Sequence, residues 1–540
     1  MACDSRTSGH FVNRVRAIFL FLTCIVAITL LVSTRTVSPR IIFTPIKALE
    51  RNSTNASKKA GLNLPPFLTT NRDNKNETRM QFVKEMMEQA WSSYVKYAWG
   101  HDDLLPLTQQ PFDWYGDQNI LLNTPIDALD TLYIMGLHDE YADAKALALT
   151  LNFSNVTATI SLFETIIRVV GGLLAAYDLE GDERVLRKCV ELVDLLLPAF
   201  DTPTGFPANE YRLSDGWKSS RADLGLAEIG TLQLEFQYLS DVTGNPLYAE
   251  KALWIYEQMA KIPLPVPGLF PEKLSKNVLL TLNNKVSLGG MSDSYYEYLL
   301  KMWLSTGEEK YYKMYTVAAD NFARYMRKYT NDGFLYMPAA QIYRNSPFEE
   351  PTVNFEGTWD HLACFAGGMF ATGGLASRRG AWTTHLDMGS QITEYCWEMY
   401  AHTSTGIGPE NVRGDNIQAV DRQYHLRPEA VESLFYMWRY THNEIYRERA
   451  WVIVQALEKY CSGESGFHGL NNVNNPGQGG VDRQESFFLA ETLKYLYLIF
   501  ADDDTIALEK YVFNTEAHVL SVRGHGRRND SSKFVPLPFV

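Results

Sequence analysis

Apolar residues recur at three- and four-residue steps along most of this chain, and that period leaves room for little besides helices. Leu162, Ile166, Val169, Val170 and Leu173 form one such face, and Leu434, Met437 and Trp438 form another. Comparable segments span residues 82–97, 126–135, 185–197, 227–239, 295–304, 318–329, 392–400, 450–460 and 487–500. Turn-rich stretches at 201–209, 263–271 and 471–480 lie between them, and no run of short alternating strands competes. A dozen or more helices joined by loops point to an all-α fold, with hairpins either closed into a barrel or stacked as a solenoid. No fixed-period repeat is visible, which favours the barrel. Functional residues would then sit at helix ends and loops around one mouth.

The N-terminal part reads differently. No residue between Arg16 and Arg35 is charged, and residues 17–34 are mostly Ile, Leu, Phe, Val and Ala. As a helix that segment would span about 27 Å, enough for a thin bilayer of the secretory pathway. A cleaved signal peptide would have a shorter apolar core ending in small residues, and Val32-Ser33-Thr34 is a poor site of that kind. The expected order is a cytoplasmic tail (1–16), a transmembrane signal-anchor (17–34), a polar luminal stem (35–78), a folded domain (79–520) and a C-terminal tail (521–540). The run at 523–528 in that tail is expected to be disordered. Charges flank the anchor evenly, so the cytoplasmic N-terminus rests on the shortness of that side. N-x-S/T sequons begin at Asn52, Asn55, Asn76, Asn152, Asn155 and Asn529, all beyond the anchor. The net charge of −13 argues against nucleic acid as a partner. The six cysteines include no C-x-x-C pair, so no structural zinc site is expected. In an oxidising lumen at least one disulfide could form among Cys189, Cys364, Cys396 and Cys461, with the pairing open.

Acidic residues at helix starts are the candidates for chemistry. Glu164 lies in an apolar run four residues before Arg168, so the two share a helix face. That pair could tune the carboxylate by burial, or be a plain surface ion pair. Asp293 precedes Ser294-Tyr-Tyr-Glu297, which matches a capping box. Glu429 follows Pro428, a good first helical residue, and Glu432 lies one turn further. The positive end of that helix would hold both charged, which suits a base. Glu485-Ser-Phe-Phe-Leu-Ala-Glu491 mixes acids with aromatics, as a sugar-binding wall requires, although Phe487 and Phe488 could equally be core. The Gly-rich stretch 367–374 lacks the Lys-Ser/Thr of a phosphate loop, and neither an H-E-x-x-H nor a G-x-S-x-G motif occurs.

Taken together, seven pieces in order resemble class I α-1,2-mannosidases, glycoside hydrolase family 47. They are Ala98-Trp-Gly-His-Asp-Asp-Leu-Leu-Pro106, Ile126-Asp-Ala-Leu-Asp-Thr-Leu-Tyr-Ile-Met-Gly136, Ser161-Leu-Phe-Glu164 with Arg168-Val-Val-Gly-Gly, Asp293-Ser-Tyr-Tyr-Glu, Leu426-Arg-Pro-Glu429-Ala-Val-Glu432, Glu485-Ser-Phe-Phe-Leu-Ala-Glu491 and Phe513-Asn-Thr515-Glu-Ala-His518. The likeness runs from about residue 80 to 520.

That resemblance implies an (α/α)7 barrel and inverting, calcium-dependent hydrolysis of terminal α-1,2-linked mannose from high-mannose N-glycans. It implies that Glu164 is the general acid acting through a water, that Glu429 is the base, and that Asp293 places water or shares one of these roles. Thr515 would be the calcium ligand, with Glu432 and Glu491 orienting waters, Phe487 under the terminal mannose, and Arg168, Arg427 and His361 at substrate contacts. Cys364 and Cys396 match the family's disulfide. Where single-mannose specialists carry arginine, this chain has Met291, which resembles the Golgi-type members. The segment after Cys364 departs from the commoner Pro-Gly pattern, which leaves its local loop shape open. The implied setting is a single-pass type II Golgi membrane protein with a monomeric luminal domain, the endoplasmic reticulum being the alternative. A rival reading is a mannosidase-like protein that mainly recognises misfolded glycoproteins; the complete set of acids argues for an enzyme.

Overall fold

The computed structural model describes residues 75–376 and 382–529. The cytoplasmic tail, the apolar segment 17–34, Asn52, Asn55 and the stem up to residue 74 lie outside the described residues. Among the described residues no helix is long and apolar enough to cross a membrane.

Helices alternate between two kinds of burial. One kind is amphipathic, with a single buried stripe: α1 (Glu77–Ala98), α4 (His138–Ala148), α6 (Glu183–Leu196), α9 (Leu247–Met259), α11 (Glu309–Tyr325), α13 (Trp382–Ala401) and α15 (Glu444–Tyr460). In α6, Val185, Leu186, Cys189, Leu192, Val193 and Leu196 face inward at helical spacing. The other kind is buried nearly all round. It comprises α2 (Asn123–Asp127) with α3 (Leu129–Ile134), α5 (162–180), α7 (Leu226–Gly230) with α8 (Gln233–Thr243), α10 (Asp293–Thr306), α12 (Ala366–Ala376), α14 (Glu429–Thr441) and α16 (488–500). Each inner segment packs on its inner neighbours in chain order, and α16 returns to α3, so the inner ring closes into an (α/α) barrel of seven inner and seven outer layers among the described residues.

Short antiparallel strands crown the end where inner helices begin. β1 (Thr159–Ser161) pairs with β2 (Glu210–Arg212), and β3 (Asp223–Gly225) with β4 (Lys273–Ser275). β5 (Lys285–Val286) and β7 (Thr352–Phe355) flank β6 (Ala340–Tyr343), while β8 (Thr358–Asp360) pairs with β9 (Asn411–Arg413). Strands of two to four residues are too short to show alternation, which is why helical periodicity hid them. One further hairpin, β10 (Tyr511–Phe513) with β11 (Val519–Ser521), is threaded into the barrel: Asn514, Glu516 and His518 between its strands are all buried.

Three expectations change. Ser294 is not a helix cap, because α10 already begins at Asp293, and Glu297 instead makes a buried ion pair with Lys301. The stretch after Cys364 is not a loop but helix α12, whose glycines allow its neighbours close: a Cβ on Gly367 would meet Thr393 Oγ1 at 2.4 Å. The C-terminal tail is ordered to residue 529, since Ser521 ends β11 and the Arg528 guanidinium is buried against Asp241. A buried charge so paired is held in one place. Residues 530–540 lie outside the described residues.

Candidate active site

The N-termini of α5, α7, α10 and α14 open on one cavity of about 360 Å³. Glu164, Asp293 and Glu429 all line it, each within the first turn of its helix. Ser161 caps α5 by accepting the Glu164 N–H at 3.3 Å. Pro428 stands one position ahead of α14 rather than inside it. Arg168, Arg427, Glu432, Phe487, Glu491 and Thr515 also line the cavity, so the structure brings together nearly all of the residues singled out in the sequence.

His361 is the exception. It is fully buried and lines no part of the cavity, so it is a partner of Glu429 rather than a substrate contact. Its Nδ1 stands 2.9 Å from Glu429 Oε2, and its Nε2 stands 2.8 Å from the Tyr400 hydroxyl. A carboxylate can only accept, so Nδ1 carries the proton. Burial opposes the charge on Glu429, yet the His361 hydrogen bond and the charges of His361 and Arg427 outweigh it and hold the carboxyl below its ordinary value. Asp293 behaves in the opposite way. Burial, with the charges of Asp360, Glu297 and Glu429, pushes it up to about 8 despite the Ser294 N–H at 2.9 Å. One cavity thus holds a carboxylate kept ionised and a carboxyl kept protonated at neutral pH.

Glu164 accepts from Arg168 Nε at 2.8 Å. The other end of that guanidinium is clamped by residues the sequence did not single out: Asp127 at 3.4 Å, Ser486 at 3.3 Å, and Glu516. Arg168 also lies over Trp114 and Phe487, with Arg427 over the same Phe487 ring at 5.7 Å. Arg427 is in turn fixed by Glu410 at 2.8 Å. Asp127 and Glu516 sit inside the motifs named above, where a charged residue on an otherwise apolar stretch was the available signal. Glu410, in a loop, offered none.

The tip of the β10–β11 hairpin forms part of the cavity wall. Thr515 and Glu516 reach the cavity wall, and Asn514 anchors the tip by donating to Ile167 O and Glu235 Oε1, both at 2.9 Å. The Ile167 carbonyl lies in a π turn of α5, Thr165–Val170, an irregularity that often marks functional sites. Gly171 permits the approach, since a Cβ there would stand 2.6 Å from Asn514 Nδ2. Glu297, Glu432, Glu491 and Glu516 line the same cavity as Thr515. Burial and then the charge of Glu297 push Glu432 well above its usual range; burial and then Glu516 do the same to Glu491. The wall is thus rich in carboxyl and hydroxyl oxygens, the donor type that a hard cation takes. Among the described residues no three acidic, histidine or cysteine side chains converge on one point. The disulfide Cys364–Cys396 is formed, tying α13 to the turn that leads into α12, while Cys189 and Cys461 are free and buried.

Known proteins resemble this chain in sequence and fold. The family model "Glycosyl hydrolase family 47" matches residues 86–522. The chain is 41% identical over 469 residues to mannosyl-oligosaccharide alpha-1,2-mannosidase IA of Drosophila melanogaster, covering 83% of this chain and 68% of that protein. It is 40% identical over 474 residues to mannosyl-oligosaccharide 1,2-alpha-mannosidase IC of Homo sapiens, covering 85% and 74% respectively. Among solved structures, the alpha-1,2-mannosidase from Trichoderma reesei superposes with a TM-score of 0.76 at 30% identity, over 83% of this chain and 100% of its own. With a helical barrel, a cavity of helix-start carboxylates and these relatives in agreement, the chain belongs to glycosyl hydrolase family 47.

Proposed function

We propose that the barrel removes terminal α-1,2-linked mannose from high-mannose N-glycans by inverting, calcium-dependent hydrolysis. Trimming of N-glycan mannose is the activity of this family's mannosyl-oligosaccharide mannosidases. The observation that carries the mechanism is the pairing of an ionised Glu429 with a protonated Asp293 in one cavity.

Glu429 takes a proton from a water as its oxygen bonds to the sugar's C1, and the C1–O bond to the glycan breaks. The leaving oxygen receives a proton from the opposite side, from Glu164 through a water or with Asp293 sharing that duty. Inversion requires acid and base separated by enough room for the attacking water, about 6.5–9.5 Å. Phe487 underlies the ring, and the guanidinium groups of Arg168 and Arg427 both lie 5.7 Å from the centre of that platform. Thr515 would hold calcium through its hydroxyl and carbonyl oxygens, with Glu432 and Glu491 acting through water. When bound, the ion would fix mannose hydroxyls against the wall formed by the hairpin tip. Met291 stands half-exposed at the cavity with φ of +76° and offers no guanidinium, which supports removal of several mannoses rather than one. A type II Golgi anchor at 17–34, a stem that carries the barrel into the lumen, and a monomeric catalytic domain complete the proposal, with the endoplasmic reticulum as the other residence. Asn152 and Asn155 lie exposed, as acceptors of glycan must.

The test is a time course of a high-mannose glycan with the purified luminal domain. Free mannose should appear, pass beyond one per glycan, cease when calcium is chelated and resume when it is restored. Release that survives chelation would remove calcium from the mechanism. No release with calcium present would favour recognition without hydrolysis.

A further inference from the structure

Beside the catalytic cavity lies a second, polar cavity of about 100 Å³, and Gly290 belongs to the wall of both. The partition is only backbone thick. Gly290 N–H donates to Asp360 Oδ2 at 3.1 Å, and a Cβ on Gly289 would stand 2.7 Å from that oxygen.

Polar groups reach this cavity from separate elements. Asp360 and Asn411 are directly opposite in the β8–β9 pair, so they project to the same face of the ribbon. Lys285 on β5 is held between Glu272 at 3.2 Å and Glu356 at 3.3 Å. None of these five side chains lines the larger cavity. Asn411 Oδ1 is buried and has no hydrogen-bond partner among the described residues, a state that an incoming donor would relieve. An ammonium, an amide and three carboxylates set side by side can donate to and accept from neighbouring hydroxyls at once, which is what the edge of a pyranose presents. At about 100 Å³ against about 360 Å³ for the catalytic cavity, it has room for one hydroxyl-bearing edge rather than a second whole binding site.

We propose that this cavity is an accessory glycan subsite that takes the hydroxyl edge of a mannose on a branch other than the one being cut. The sugars flanking the scissile bond occupy the larger cavity, so a side pocket behind the Gly289–Gly290 backbone is reached only by a sugar that diverges from them. Occupying it ranks the branches of one glycan against each other. The proposal rests on the mannosidase function of the larger cavity.

The experiment compares steady-state kinetics on an intact high-mannose N-glycan and on α-1,2-mannobiose, for the unmodified protein and for Asn411→Ala and Lys285→Met. Each variant should lower kcat/KM on the glycan about five-fold, the value of one hydrogen bond, through KM. Cleavage of mannobiose should be unchanged, and the order in which glycan isomers appear should shift. Lys285→Arg should restore glycan preference, which a mere packing defect at Lys285→Met would not require. Equal losses on both substrates, or no loss on either, would overturn the subsite. If the unmodified protein cleaves neither substrate, the mannosidase function fails first and the subsite falls with it.

Discussion

His518 has a carboxylate on each ring nitrogen, with Asp130 3.3 Å from Nδ1 and Asp127 3.2 Å from Nε2, and none of the three is exposed. Carboxylates only accept, so both nitrogens carry protons and the ring is an imidazolium. Burial works against that charge, but Asp130 and the two hydrogen bonds outweigh it and raise the pKa to about 9. A raised pKa stabilises the fold fully below the unfolded value of about 6.5, and the contribution disappears as pH rises through the folded value. Thermal melts should therefore show stability falling from pH 6.5 toward 9, and His518→Asn should flatten that slope while lowering stability at pH 6. At Glu429 the concern is catalysis instead of stability. Glu429→Gln keeps the shape and the His361 contact but cannot take a proton, so kcat should fall by about 10²–10⁴. Glycan binding by calorimetry should persist in that variant. Retained turnover would remove Glu429 as the base.

Among the elements, α12 and α13 pack closely where glycine faces backbone. A Cβ on Gly389 would lie 2.5 Å from Ala371 N and 2.6 Å from Gly367 O, and backbone cannot step aside as a side chain can. Gly389→Ala should thus cost about 1–3 kcal/mol by urea unfolding, the usual range for overpacking. Gly357→Ala is the control, since nothing lies within 4 Å of its added Cβ. This helix also shows what sequence could and could not disclose. Outer helices such as α6 and α15 were legible because one apolar stripe repeats, and α16 because it is apolar throughout. α12 was not, because its glycines read as a loop until facing helices supply the reason for them. α9 was also missed: Leu247 and Trp254 are exposed, so its apolar residues form no clean stripe. At the site, acids at helix starts could be found locally, whereas the Arg168–Glu516 and Ser486–Asp127 contacts join residues 348 and 359 positions apart. Pattern within a window does not carry such pairs.

At the scale of the molecule, the barrel is open at one end and filled at the other by the C-terminal chain. Arg523 and Arg528 both bind Asp241, and Arg523 also binds Glu308, so the last described turn is tied to the end of α8 and to the start of α11. The boundary expected at residue 520 would have cut through this seal. Thr515 and Glu516, on the hairpin threaded into the barrel, line the catalytic cavity, and we infer from this plug that the cavity is a cul-de-sac. A sugar freed at the closed end of such a cavity has the shortened glycan standing in its way out. The glycan must back out before the mannose can, so the enzyme cannot slide from one cut to the next without letting go. Such a device is distributive by construction. In a pulse–chase with labelled glycan, partly trimmed intermediates should be diluted by unlabelled substrate after every step. Each mannose then becomes a separate encounter, and a glycoprotein that leaves the compartment early carries a glycan recording how many encounters it had.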